Sequence, residues 1–407
     1  VRKAFKLAEM EKPGATHIEL PQDVMAQPLD ARPLPRQMAL PSQPTAGELL
    51  KAVSIIQNAE NPIILAGNGV IRGVGARALR EFVHATGIPA AETFMAKGLL
   101  PADASNALGA VGLNARDYEV AGFEAADVVI AVGYDLVEHS PKYWNRRRDK
   151  TIICIDTEPA ETDQYFMPDV ELVGDLYSIL CELTERCVGP IRTKVAPALS
   201  DAVLRRFKQA EFDEGFPMQP PRALFEIRKA LGARDILVSD VGLHKMWIAR
   251  MFPAYEPNTV LVANGLAGMG FAVPGAIAAK LVHPERKVVA VSGDGGFLMN
   301  CQELETAVRL GTPFVNVIWE NQQFGSIVWK QEKKFGRHFG TDFGNPDFVK
   351  LAESFGMPAW RCTSAEDYAE RLRAALTLDV PSLIVVPVDY SLDVTIVEDL
   401  GPAMVAG

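Results

Sequence analysis

From Thr45 onward the chain alternates stretches of helical periodicity with short runs that are apolar at nearly every position. The first runs cover 62–66, 88–92, 128–132, 151–155 and 170–173, with helical patterns ending near Ala59 and spanning 76–86. A strand apolar on both faces belongs in a parallel sheet covered by helices on both sides, so the pattern predicts an α/β domain over 45–188. A second series follows at 236–239, 260–262, 287–291, 314–319, 359–361 and 383–387, with helices over 272–282, 345–355 and 365–376. It predicts another doubly wound parallel-sheet domain over 222–407. Between them, 189–221 carries Pro190, Pro197, Pro217, Pro220 and Pro221 around a charged helix and reads as a linker. So does 25–44, where Pro28, Pro33, Pro35, Pro41 and Pro44 disfavour helix and sheet alike. Residues 1–10 read as a helix and 17–20 as a strand ended by Pro21, so 1–24 is expected to be the remnant of a third domain.

Composition narrows the class. The 407 residues carry 41 Lys and Arg against 51 Asp and Glu, a net charge of −10, and 48% are hydrophobic. An acidic chain with scattered basic residues is a poor partner for nucleic acid, and no apolar run is long enough to span a bilayer. The five cysteines include no C-x2-C pair, which excludes a disulfide framework or a cysteine zinc site and fits a reducing, cytoplasmic setting.

The candidate chemistry lies in Lys287-Val-Val-Ala-Val-Ser-Gly293-Asp294-Gly295-Gly296-Phe297. At the carboxyl end of a parallel strand, a glycine-rich turn opening a helix offers N–H groups to a phosphate. The helix is expected to run on at once, its apolar face marked by Phe297, Cys301, Leu304 and Val308. A carboxylate inside such a turn repels phosphate unless a cation lies between them, and Mg2+, which shares its oxygen ligands between protein and phosphate, suits that position. The next strand ends in Glu320-Asn321-Gln322-Gln323-Phe324-Gly325. Adjacent strand tips would bring the Asn321 amide oxygen and a loop carbonyl to the same ion. The bland alternative is a tight turn with an Asx hydrogen bond.

These two loops resemble the thiamine-diphosphate (ThDP) enzymes of the pyruvate-decarboxylase and acetolactate-synthase type, whose cofactor motif is Gly-Asp-Gly followed some two dozen residues later by Asn-Asn. Here Glu320 stands at the first Asn position and Asn321 at the second. The resemblance implies Mg2+ held by Asp294, Asn321 and the main-chain carbonyl of Gln323, with Gly295, Gly296 and Phe324 beside the cofactor. The segment Ser239-Asp-Val-Gly242-Leu243-His244-Lys245-Met-Trp247 is similar to the family's Asp-Val-Gly-Gln-His-Gln-Met-Trp, and places Gly242 and His244 at the diphosphate. Asn264-Gly-Leu-Ala-Gly268-Met269-Gly270 resembles the turn under the thiazolium ring, with Met269 propping the cofactor in a bent shape.

Segments 332–356 and 386–390 are similar to the catabolic, acetoin-pathway acetolactate synthases, and the likeness covers nearly the whole chain. It implies decarboxylation of pyruvate and its joining to a second pyruvate, or to 2-oxobutyrate, giving 2-acetolactate and CO2; the alternatives are another ThDP-dependent 2-keto acid decarboxylase or lyase, or a non-catalytic subunit of the same fold. It also implies a homodimer or homotetramer, and an activating glutamate in a pyrimidine-binding domain upstream of Val1; no catalytic glutamate is assigned within this chain, which is expected to be incomplete and to turn over little alone. Gly67-Asn-Gly69-Val-Ile-Arg-Gly73 departs from a dinucleotide fingerprint in its last gap and reads as a strand-to-helix turn, and 133–145 resembles the flavin-free branch, so FAD is not expected. His17, His84, His139, His283 and His338 have no ligand spacing, and Arg146–Arg148 and Lys333-Lys334-Arg337 read as solvated faces. The sequence names no cation for a keto-acid carboxylate.

Overall fold

The computed structural model describes residues 1–35, 41–113, 115–191, 193–195 and 198–392. Residues 36–40 of the first expected linker, Pro197 of the second and the segment 393–407 lie outside them. The first domain holds β1 (Pro62–Ala66), β2 (Ala90–Glu92), β3 (Ala107–Ala110), β4 (Val128–Val132), β5 (Thr151–Asp156) and β6 (Val170–Val173) in one parallel sheet. Their order is β3-β2-β1-β4-β5-β6, so the chain reverses direction across the sheet between β1 and β4. Thr45 caps the helix Ala46–Asn58, its side chain accepting from Glu48 N at 3.3 Å while Thr45 N donates to Glu48 Oε2 at 2.8 Å.

The second sheet holds β7 (Ile236–Ser239), β8 (Val260–Val262), β9 (Val288–Gly293), β10 (Val315–Glu320), β11 (Ala359–Arg361) and β12 (Ser382–Pro387), again all parallel. The order β11-β12-β10-β9-β7-β8 puts the reversal between β7 and β9. Each sheet has a buried apolar cluster on either face, the arrangement anticipated from strands without polar alternation.

Four expectations need correction. The segment 17–20 forms no strand, because no neighbouring strand among the described residues supplies it with hydrogen bonds. The strand β3 was missed because Ala-Leu-Gly-Ala lacks β-branched residues; it is held by pairing to β2. The helix after Gly293 is not continuous: one turn over Asp294–Phe297 gives way to tight turns, Met299 N to Gly296 O at 3.1 Å and Asn300 N to Phe297 O at 3.2 Å, before a helix over Glu303–Leu310. The Asn300 amide is drawn out of the helix to Gly270 O at 2.9 Å, and Val308 is exposed. Finally, the helix expected over 345–355 begins only at Phe348, since the Asp347 side chain caps it by accepting from Lys350 N at 3.2 Å. That leaves Asn345 in a loop.

The domains are packed together. The helix Ala198–Gln209, inside the second expected linker, contributes Leu199 to the first domain's core and Phe207 to the second's. Arg250 forms a buried ion pair with Asp117 and donates to Ala110 O at 3.0 Å across the seam. Arg80 donates to Leu99 O at 2.7 Å and to Tyr255 O at 2.9 Å, and a Cβ on Gly98 would lie 2.3 Å from Glu256 O, so only glycine lets the chains approach there.

Candidate functional site

The tips of β7, β9 and β10 are neighbours, at the point where the strand order reverses and where ligands bind in open α/β sheets. Asp294 lies directly after β9 and is buried. Its Oδ2 accepts from Asn321 N at 3.0 Å, Gln322 N at 2.6 Å and Asn345 Nδ2 at 2.9 Å, whereas Oδ1 accepts, among the described residues, only from Gly295 N at 2.9 Å. This single carboxylate therefore binds the loops after β9 and β10 into one unit. Two oxygens offer about four lone-pair positions, so Oδ1 keeps one for a cation.

The loop after β10 turns sharply at Gln322, whose φ is +59°, and is pinned by Phe324 N to Thr341 O at 2.9 Å, Phe343 N to Gln322 O at 3.1 Å and Gln323 Nε2 to Asp342 Oδ1 at 2.6 Å. The Phe324 and Phe343 rings, 4.7 Å apart, lie on the glycine turn; a Cβ on Gly295 would be 2.7 Å from the Phe324 ring. Leu243 packs over Gly325, where a Cβ would lie 2.5 Å from its Cδ1. The glutamine it replaces in the related segment has thus given way to an apolar contact. Glu320 is buried, pairs with Arg361, and accepts from Asn345 Nδ2 at 3.3 Å. Asn345 so divides its amide protons between two carboxylates, while its buried Oδ1 has no partner among the described residues.

After β7, the fully buried Asp240 accepts from Val241 N at 2.6 Å and Gly270 N at 2.9 Å on Oδ1. Asp240 thereby anchors the far end of the 264–270 turn that carries Met269. The middle of that turn stands clear: Gly265 and Ala267 have φ of +77° and +48°, Leu266 is fully exposed, and a Cβ on Gly268 would touch nothing within 4 Å. His244 bonds the backbone of Asp240 and lies against Gly293, whose Cβ would be 3.4 Å from the ring. Burial pushes its pKa down to about 4 despite the pull of Asp240 and Asp294, so the imidazole is neutral at neutral pH. Its Nε2 is buried with no partner among the described residues.

The structure thus brings Gly242, His244, Asp294, Gly295, Gly296, Asn321, Gln323 and Phe324 to one cluster of strand tips, with Gly268 and Met269 on the adjoining turn. Sequence reasoning missed Asn345 and left Asp240 without a role of its own. The donor set fits Mg2+: one carboxylate with a lone pair to spare, a side-chain amide and a main-chain carbonyl, all oxygens, leaving positions for phosphate and water. Among the described residues no cluster of three or more His, Cys, Asp or Glu suggests a different metal centre. Orphaned polar atoms on His244 and Asn345 fit a site that takes a polar ligand.

In the first domain, the turn at Gly67 and Gly69 abuts Gly133: Gly69 N donates to Gly133 O at 2.9 Å, and a Cβ on Gly67 would lie 2.3 Å from that oxygen. Those glycines serve close packing. No helix among the described residues is long and apolar enough to cross a membrane.

Comparison with known proteins agrees with this geometry. Residues 49–183 match the family model of the thiamine pyrophosphate enzyme central domain, and residues 240–386 that of the C-terminal TPP-binding domain. An acetolactate synthase of Bacillus subtilis is 36% identical, covering 99% of this chain and 72% of its own length. A catabolic acetolactate synthase of Raoultella terrigena is 34% identical over 96% of this chain and 71% of its own. A crystal structure from Mycobacterium smegmatis, assigned to the thiamin diphosphate-dependent enzymes, superposes with a TM-score of 0.81 over 95% of this chain and 72% of its own, at 23% identity, and supports the fold. By its two domains and its nearly full-length likeness to these synthases, the chain belongs to the thiamine-pyrophosphate enzymes, among the acetolactate synthases.

Proposed function

We propose that this protein catalyses the decarboxylation of pyruvate and the joining of the remaining two-carbon unit to a second pyruvate, giving 2-acetolactate and CO2, with 2-oxobutyrate as an alternative acceptor. The observation that carries the reading is Asp294 linking the tips of β9 and β10 with one lone pair of Oδ1 uncommitted. Asp294, the Asn321 amide oxygen and the Gln323 carbonyl would hold Mg2+, and the Gly295 and Gly296 backbone would face the diphosphate. His244 would donate from Nε2 to the diphosphate once protonated, a state that a neighbouring anion favours. Met269, unbranched and polarisable on the projecting turn, would support the folded cofactor, with Gly242, Gly268 and Phe324 shaping the walls. When bound, ThDP supplies the nucleophilic carbon and the electron sink for CO2 loss. The largely exposed Leu266, Phe335 and Phe339, on segments leaving the strand tips, are surface for a second copy to cover in a homodimer or homotetramer.

Product analysis tests the reading. With ThDP, Mg2+ and pyruvate, the expected product is 2-acetolactate, formed with one CO2 per two pyruvates. Acetaldehyde as the sole product, with one CO2 per pyruvate, would make the protein a decarboxylase instead.

A further inference from the structure

Joining two 2-keto acids involves two carboxylates that the chemistry treats oppositely. The donor's carboxylate leaves as CO2, so a cation held on it would stabilise the starting anion more than the transition state, where that charge is drawn away. The acceptor's carboxylate survives and can be held throughout. Around the strand tips the buried groups are largely acidic, Asp240, Asp294 and Glu320 among them. An acceptor anion needs a positive charge there that is not already neutralised.

Lys245 meets that requirement. It is the third residue of the helix Leu243–Met251, immediately after His244. Its Nζ donates to Asn264 Oδ1 at 2.9 Å, and Asn264 opens the turn that carries Met269. The other end of the Asn264 amide donates to Glu138 O at 3.4 Å, so the ammonium lies at the seam of the two domains beside the strand tips. Several other shielded cations have carboxylate partners: Arg250 has Asp117, Arg222 has Glu226 and Lys12 has Asp135; buried Lys97 feels the charge of Glu92, and Arg228 is satisfied by the Pro253, Leu231 and Gly232 carbonyls. Lys245 has none within ion-pair distance among the described residues. Burial alone pushes its pKa down to about 8, which leaves it mostly charged at neutral pH. A desolvated ammonium satisfied by one amide oxygen is unfavourable for stability, and lysine is rarely shielded without an anion. The related segment carries glutamine at this position.

We propose that Lys245 is the cation that receives the carboxylate of the acceptor 2-keto acid. The assignment rests on the carboligase reading above. It makes a carboxylate on the acceptor a condition of efficient joining. When the acceptor is not held, the two-carbon unit takes a proton and leaves as acetaldehyde.

The test uses the holoenzyme with ThDP and Mg2+, pyruvate as the only substrate, and the variants Lys245→Gln, Lys245→Met and Lys245→Arg. For the two uncharged variants, the pyruvate concentration giving half-maximal acetolactate formation should rise about tenfold or more, as expected for a lost charged contact of about 1.4 kcal/mol or more. The acetaldehyde share of product should rise with it. Lys245→Arg should restore the partition, and calorimetric ThDP affinity should stay at the parent's value in all three. An unchanged partition in the uncharged variants overturns the proposal, as does a lowered melting temperature with the partition intact, which would make Lys245 only a tether for Asn264. Turnover of pyruvate by the unsubstituted enzyme to acetaldehyde alone would instead remove the carboligase reading itself.

Discussion

The two sheets share an architecture and a reversal of strand order, yet their crevices differ. Between β1 and β4, backbone meets backbone: Gly67 and Gly69 press on Gly133, and the crevice is closed by the chain itself. Between β7 and β9, two buried carboxylates, Asp240 and Asp294, gather backbone N–H groups from four segments and a side-chain amide from a fifth, while a ring nitrogen of His244 has no partner among the described residues. A shared fold supplies the location, and the side chains at the strand tips decide whether it becomes a site.

Substitution of the carboxylate should break this contrast most severely. Asp294→Ala removes the anchor of both loops and the carboxylate for Mg2+; calorimetry should show Mg2+-dependent ThDP affinity falling by about a hundredfold or more. The closed crevice should respond in stability alone. Gly133 has φ of +55°, and a Cβ there would lie 2.4 Å from Val70 N, so Gly133→Ala should destabilise the fold by about 2–4 kcal/mol in urea titration while the folded fraction binds ThDP as before.

A subtler change sharpens the comparison within the second site. Asn345→Leu leaves the Asp294 and Glu320 carboxylates without the amide between them, and Mg2+ affinity should fall about ten- to a hundredfold. Adding Glu320→Asn, the residue of the related motif, should recover most of it. The smallest effect concerns His244. Its pKa is lowered from 6.5 to about 4 by folding, so the folded state binds fewer protons than the unfolded one in that range, and stability is lost as pH falls through it. Between about pH 7 and pH 5.5 the His244 share should be about 1 kcal/mol, and denaturant titration of His244→Gln should show a correspondingly flatter acid slope.

Much of this arrangement was legible in the chain because its strands are apolar throughout and its turns glycine-rich. Asp294 and Asn321 could be paired from the length of one helix and one strand, and Gln323 joined them only through the likeness to the ThDP enzymes. Asn345 could not, because the helical period of the segment beyond it hid that Asp347 starts the helix late. Asp240 stood in a recognised segment, but its bond to Gly270 spans thirty residues of loop and helix that no local pattern encodes. The burial of Lys245 likewise depends on the packing of one domain against the other, which is set by contacts such as Arg250 with Asp117 rather than by any motif. Close approach of backbones at Gly67 and Gly133 explains why a glycine pattern can imitate a nucleotide fingerprint while serving packing.

The central claim is that a divalent cation is held between the tips of β9 and β10. Crystals of the protein grown with ThDP and Mn2+ in place of Mg2+ allow the ion to be located by anomalous scattering. The expected result is a peak about 2.0–2.3 Å from Asp294 Oδ1, in contact with the Asn321 side-chain oxygen, the Gln323 carbonyl and two phosphate oxygens. A diphosphate bound elsewhere, or an ion that leaves Asp294 untouched, would contradict it.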